Sequence, residues 1–174
     1  MGTRDNDGYH ALHWSCSEGQ VKVVELILEN SDSRKIYLNE KDDHGRTALH
    51  LACKRGQLSV VELLFEKSQE LMIDLNATDN MNLTGFHWAC QEGHTEVAQL
   101  FLEKADELKL DLNVADYELD WTPFHFACHE GRKSIVDMIL EKSEDVKIFV
   151  NLYDKLARTG KDFMIKRLSK NRIQ

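Results

Sequence analysis

The stretch TALHLACKRGQ, Thr47 to Gln57, places His50 and Cys53 three residues apart on what reads as a helix broken at Gly56. An imidazole and a thiol at that spacing raise the question of a metal site. The same offset returns in HALHWSCSEGQ (His13, Cys16), TGFHWACQEGH (His87, Cys90) and TPFHFACHEGR (His125, Cys128). Whatever explains one pair must therefore explain four.

His13, His50, His87 and His125 follow one another at 37, 37 and 38 residues, and Gly19, Gly56, Gly93 and Gly131 keep the same intervals. After each glycine comes a second helical pattern (VKVVELILEN, LSVVELLFEK, TEVAQLFLEK, KSIVDMILEK), with apolar residues at three- and four-residue steps. Alternating segments then lead to Asn39, Asn76, Asn113 and Asn151, an extended pattern. Each unit reads as helix, glycine break, helix and finger.

Units of this kind resemble the ankyrin repeat, whose mark is T-P-L-H-x-A at the start of the first helix. TALHLA and TPFHFA match closely, and HALHWS and TGFHWA more loosely. The resemblance implies a mostly α fold, a solenoid of stacked helix-turn-helix units with β-hairpin-like fingers. The whole chain, 1–174, is expected to form one such domain, with repeats at about 5–41, 42–78, 79–115 and 116–153 and a cap at about 154–174. The cap is expected because Lys161 and Asp162 replace the motif's Leu and His, giving a terminal unit a polar outer face. Each unit is about four residues longer than the family pattern, and Ser31, Ser68, Ala105 and Ser143 stand where a glycine usually ends the second helix. One more helical turn is the simplest expectation, adding ~6 Å.

Against this frame the His and Cys pairs lose their appeal as ligands. A structural zinc needs four donors converging at ~2.0–2.3 Å, whereas packed helices lie ~8–10 Å apart, so one repeat offers only two ligands. The family implies instead that the motif His bonds to neighbouring backbone and that the small Cys packs in the core. Catalysis through cysteine needs one singular, activated thiolate. Four equivalent thiols supply none, and no phosphate loop, nucleophile elbow or paired carboxylates stand out. We expect no enzyme, no cofactor and no bound metal, with all four thiols reduced. Trp14, Leu51, Trp88 and Phe126, which follow the motif His, are expected in the core.

Composition narrows the partner. Thirty acidic against 22 basic residues give a net charge of −8, which disfavours a phosphate backbone. No signal-like or membrane-length apolar run is present in the sequence, so an intracellular setting, cytoplasmic or nuclear, and a monomer are expected. The resemblance implies a protein partner, a folded domain or peptide, held on the concave side by finger tips and first-helix ends. The matching tips are Asp43, His44 and Arg46; Asn80, Met81 and Leu83; and Tyr117, Glu118, Leu119 and Trp121. The helix ends add Lys54 and Arg55, Gln91 and Glu92, and His129 and Glu130. Aromatic residues and Met are enriched at interface hot spots, which singles out the third and fourth fingers. Two further readings rest on analogy: stoichiometric inhibition of a kinase or transcription factor, and hydroxylation of Asn76 or Asn113 in the context DLN by an asparaginyl hydroxylase.

Overall fold

The computed structural model describes residues 4–30, 38–143, 145 and 148. The described residues form eight helices: α1 (Ala11–Ser17), α2 (Val21–Glu29), α3 (Ala48–Arg55), α4 (Leu58–Leu71), α5 (Gly85–Glu92), α6 (Thr95–Lys104), α7 (Pro123–Glu130) and α8 (Lys133–Lys142). Each odd-numbered helix packs on its own even-numbered partner. The first helices stack in the order α1, α3, α5, α7, and the second helices in the order α2, α4, α6, α8. The expected cap, with its basic tail, lies outside the described residues.

Local chemistry sets the ends of the first helices. Thr47, Thr84 and Thr122 cap α3, α5 and α7 reciprocally with the motif His three residues on, each satisfying a donor the helix would leave unpaired. Pro123 sits at the first helical position of α7, where its missing N–H costs nothing. At the other end Gly56, Gly93 and Gly131 adopt the left-handed conformation. Gly56 is needed a second time for room: a Cβ there would lie 2.4 Å from the ring of His94, whose Nε2 donates to the Lys54 carbonyl at 2.9 Å. Gln57 to the Ser17 carbonyl (3.0 Å) and Arg132 to the Gln91 carbonyl (2.9 Å) repeat the arrangement. Each repeat thus caps the first helix of the one before it.

The core is continuous along the stack. Leu12, Leu49, Phe86 and Phe124, the residues before the motif His, are all buried, as are Val24, Val61, Ala98 and Val136 of the second helices. Phe101 of α6 sits at its centre, edge-on to Phe65 at 4.9 Å and stacked on Phe86 at 5.4 Å. Trp14 departs from expectation: it is 49% exposed, while Leu51 at the same position is buried. Trp88 and Phe126 are half-buried.

The extra residues do not have one fate. In α4 they prolong the helix to Leu71, as expected, but α6 ends at Lys104 and its extra residues form a turn. One bond closes the end in each case: the Ile73, Leu110 and Ile148 amides donate to the Ser68, Ala105 and Ser143 carbonyls, respectively. That geometry needs a left-handed residue just before the donor, and Met72 (φ 55°) and Lys109 (φ 53°) supply it. The family's glycine has thus been displaced along the chain and replaced. A side chain in this conformation costs ~1–2 kcal/mol, part of which glycine's larger entropy in the unfolded chain offsets. Lys109→Gly is expected to raise stability by ~0.5–1 kcal/mol, read as an upward shift of the melting temperature.

The fingers are turns rather than strands; no strand occurs among the described residues. Alternation before the Asn is real, with Ile73 and Leu75 buried between exposed Met72, Asp74 and Asn76. An amide side chain takes the place of a strand ladder. Asn39 donates to the Met72 carbonyl (2.8 Å) and accepts from the Asp74 amide (2.8 Å), and Asn76 does the same with Lys109 and Asp111 at 3.0 and 2.8 Å.

Candidate functional site

Each finger is organised by one aspartate. Asp5, Asp42 and Asp79 each accept from the amides two and four residues on through one carboxylate oxygen, at 2.8–3.0 Å, and Asp116 accepts from Leu119 and Trp121 across the one-residue-longer fourth finger. The Asp amide also donates to the last carbonyl of its finger, Asp42 to Arg46 and Asp79 to Leu83 at 2.9 Å. The second carboxylate oxygen ties the finger to its helix or its own tip: Trp14 Nε1 reaches Asp5 at 2.7 Å, Trp88 Nε1 reaches Asp79 at 3.1 Å, and Arg46 holds Asp42 at 2.7 Å. These aspartates were not singled out in the sequence, although their spacing of 37 residues repeats that of the motif His.

Neighbouring fingers are joined tip to tip. The Asp43 amide donates to the Asp7 carbonyl, Asn80 to His44, and Tyr117 to Met81, at 3.0–3.3 Å. The tips therefore form one continuous row at fixed spacing.

The motif histidines act beneath that row. Nδ1 of His50 accepts the Thr47 amide at 3.1 Å, which leaves the proton on Nε2, 2.9 Å from the Leu83 carbonyl of the next finger. His87 repeats this with Thr84 (3.0 Å) and Trp121 (3.4 Å), and His13 with the His10 amide, Glu40 and Arg46. Both ring nitrogens of these three are thus occupied. Burial holds His13 and His50 below the ordinary histidine range and pushes His87 down to about 3. The cysteines point elsewhere: a Cβ on Gly85 of α5 would lie 2.9 Å from Cys53 Sγ. All four thiols are free and buried, and burial raises Cys16 and Cys128 to about 12 and lifts Cys53 and Cys90 well above the ordinary value. Among the described residues no three His, Cys, Asp or Glu side chains converge as metal ligands would.

The expected contact residues divide sharply. Asp43, His44, Asn80 and Glu118 are exposed on the tips, with Met81 at 48% and Tyr117 at 69%; Arg55, Glu92 and His129 are exposed on the helix ends. Leu119, Arg46, Lys54, Gln91 and Glu130 are half-buried. Leu83 and Trp121 are a correction, being 2% and 7% exposed and closed to a partner. The residue before the motif Thr has to present its carbonyl to the preceding His, which folds its side chain under the finger. Trp121 there packs against Phe126 at 5.3 Å and His129 at 4.8 Å. Two of the cations are also engaged. Lys54 Nζ lies 4.3 Å over the Trp88 ring, and Arg46 pairs with Asp42 while donating to Tyr9.

Paired helices in register, Thr–His caps and tied fingers define a helical repeat solenoid whose exposed tips are available for contact. The family described as "Ankyrin repeats (3 copies)" matches residues 1–79 and 68–150, and the chain belongs to it. No curated protein matches the chain. Ankyrin repeats generally mediate protein–protein interaction. No helix among the described residues is long and apolar enough to cross a membrane.

Proposed function

We propose that this chain is a non-enzymatic interaction module that holds a protein partner against its finger row, with the contact centred on the third and fourth fingers, which carry Met81 and Tyr117. The supporting observation is their exposure on adjacent tips joined by the Tyr117 amide to Met81 carbonyl bond of 3.1 Å. Both large side chains stand exposed, whereas Leu83 and Trp121 beside them are buried. Asn80 and Glu118 form a polar rim, and Lys54 and Arg55 provide a basic position on an otherwise acidic row of helix ends, a pattern suited to setting register and encounter rate.

The hydroxylase reading gains no support from the asparagines, since the Asn76 amide group is engaged on both sides by the next repeat. The inhibitor reading adds a consequence of binding at the same surface and has no residue of its own.

Met81→Ala combined with Tyr117→Ala tests the proposal. Both side chains are exposed, so the melting temperature should stay within a degree or two of the parent, while loss of a hot spot costs ~2 kcal/mol or more of binding. Quantitative affinity capture should show a protein held by the parent and depleted more than tenfold with the double variant. Retention of every partner by that variant, together with loss on Lys54→Glu with Arg55→Glu, would move recognition to the helix ends.

A further inference from the structure

The incoming face of the first repeat, the side that in later repeats packs against the unit before, carries stack-forming residues that no other described residue covers. Val23 is 45% exposed, yet Val60 and Val97 at the same position are 0% and 1% exposed beneath the preceding repeat. Ala11 is exposed where Ala48 is buried, Ile27 is half-exposed where Leu64 is buried, and Leu26 is 59% exposed where Leu63 is half-buried. A terminal repeat that ends an array ordinarily carries polar residues on its outer face, so this face has the character of an internal one.

Its polar groups agree. Gln57 of the second repeat donates to the Ser17 carbonyl and so caps α1. Gln20 is the same residue at the same position, exposed at the start of α2. On the finger, Asp43 donates its amide to the Asp7 carbonyl of the preceding tip, and Asn6 holds that position in the first finger. Apolar patch, helix-capping amide and finger donor are thus arranged as in the interface between the first two repeats, which is the established interface continued by one step.

We propose that this face is a docking surface for the outgoing face of a further ankyrin-type repeat, which would bury Val23 and Ile27, receive the Gln20 amide on the last carbonyls of its first helix, and accept the Asn6 amide at its finger tip. The surface is distinct from the finger row, and its occupancy does not depend on the function proposed there. The occupant is a helix-turn-helix repeat and not a second copy meeting it face to face, because two incoming faces would bring capping amide against capping amide with no helix carbonyls to receive them.

Thiol labelling provides the test, since the four native cysteines are buried with raised pKa values. Val23→Cys in the full chain should react rapidly with a maleimide, and Val60→Cys at least a hundredfold more slowly. The probe is a second copy of residues 5–41 placed directly ahead of residue 5 in repeat register, where its own outgoing face is the one that fits Val60. With that unit present, Val23→Cys in the retained first repeat should slow to the Val60→Cys range while Glu25→Cys, exposed here as Glu62 and Gln99 are at the same position of later repeats, keeps its rate. The added unit should also melt together with the chain. Unchanged labelling of Val23→Cys, or an added unit that stays unfolded or melts separately, overturns the proposal. Protection of Val23→Cys in the unextended chain that grows with protein concentration overturns it in favour of self-association.

Discussion

Phe101→Ala is expected to destabilise the chain by ~3–5 kcal/mol, the range for deleting a fully buried phenylalanine. The position joins two repeats: Phe101 is 1% exposed, edge-on to Phe65 of α4 and stacked on Phe86 of α5. Truncation removes both ring contacts, each worth ~0.5–1.5 kcal/mol beyond area burial, and leaves a cavity at the coupling between the second and third repeats. In a nearly one-dimensional array, stability depends on such nearest-neighbour terms. Denaturant unfolding should therefore show a lower midpoint and, with the halves uncoupled, a broader transition. A shift no larger than that of an exposed truncation such as Met81→Ala would mean that the two repeats are not joined through this ring.

Mild acid is the second large effect. Burial disfavours the charged form of His13, His50 and His87 and lowers all three, the last to about 3 from an ordinary 6.5. A group whose pKa is depressed by folding takes up its proton in the unfolded chain first. Between the two values the unfolded state binds more protons, and stability falls as pH falls. The stabilisation is complete above pH ~6.5 and declines below it by about 1.4 kcal/mol per pH unit for each histidine still neutral in the fold. From pH 6.5 to 4.5 His87 alone accounts for on the order of 2 kcal/mol, a sizeable share of the ~5–15 kcal/mol stability of a small domain. The lowered carboxyls of Asp5 and Glu40 begin from values near 4 and add their loss only at lower pH. Melting temperature measured against pH should therefore drop within the histidine window. Substituting His87 by Gln, which keeps hydrogen-bonding capacity without a titrating ring, should flatten that drop even though the variant starts less stable.

Much of this was legible in the sequence because the repeat averages out local ambiguity. Four copies of a His and Cys offset at intervals of 37, 37 and 38 residues argue against a singular site more firmly than either residue could alone, and the glycine breaks placed the first helices. The second helices were harder to bound. Their ends depend on Met72 and Lys109 adopting a left-handed conformation that neither residue type advertises. The fingers read as extended because Ile73 and Leu75 alternate with polar neighbours, and only the structure shows that asparagine amides replace a strand ladder. On the candidate surface, Met81 and Tyr117 are exposed. Leu83 and Trp121 were misread because a residue's place on a finger does not reveal which way its side chain turns when its carbonyl is claimed by the histidine beneath. The finger aspartates escaped notice among thirty acidic residues; tabulating every residue by repeat position would have found them.

The stack depends on the His50 and His87 imidazoles acting as neutral staples between repeats. Nitrogen-edited NMR of the imidazoles in the folded protein, titrated with pH and then with zinc, examines this directly. The His50 and His87 rings should carry the proton on Nε2, should not titrate between pH 7.5 and the onset of acid unfolding, and should not respond to one equivalent of zinc. A ring of either residue that titrates near 6.5 while the protein stays folded, or that shifts stoichiometrically with zinc, would contradict that role.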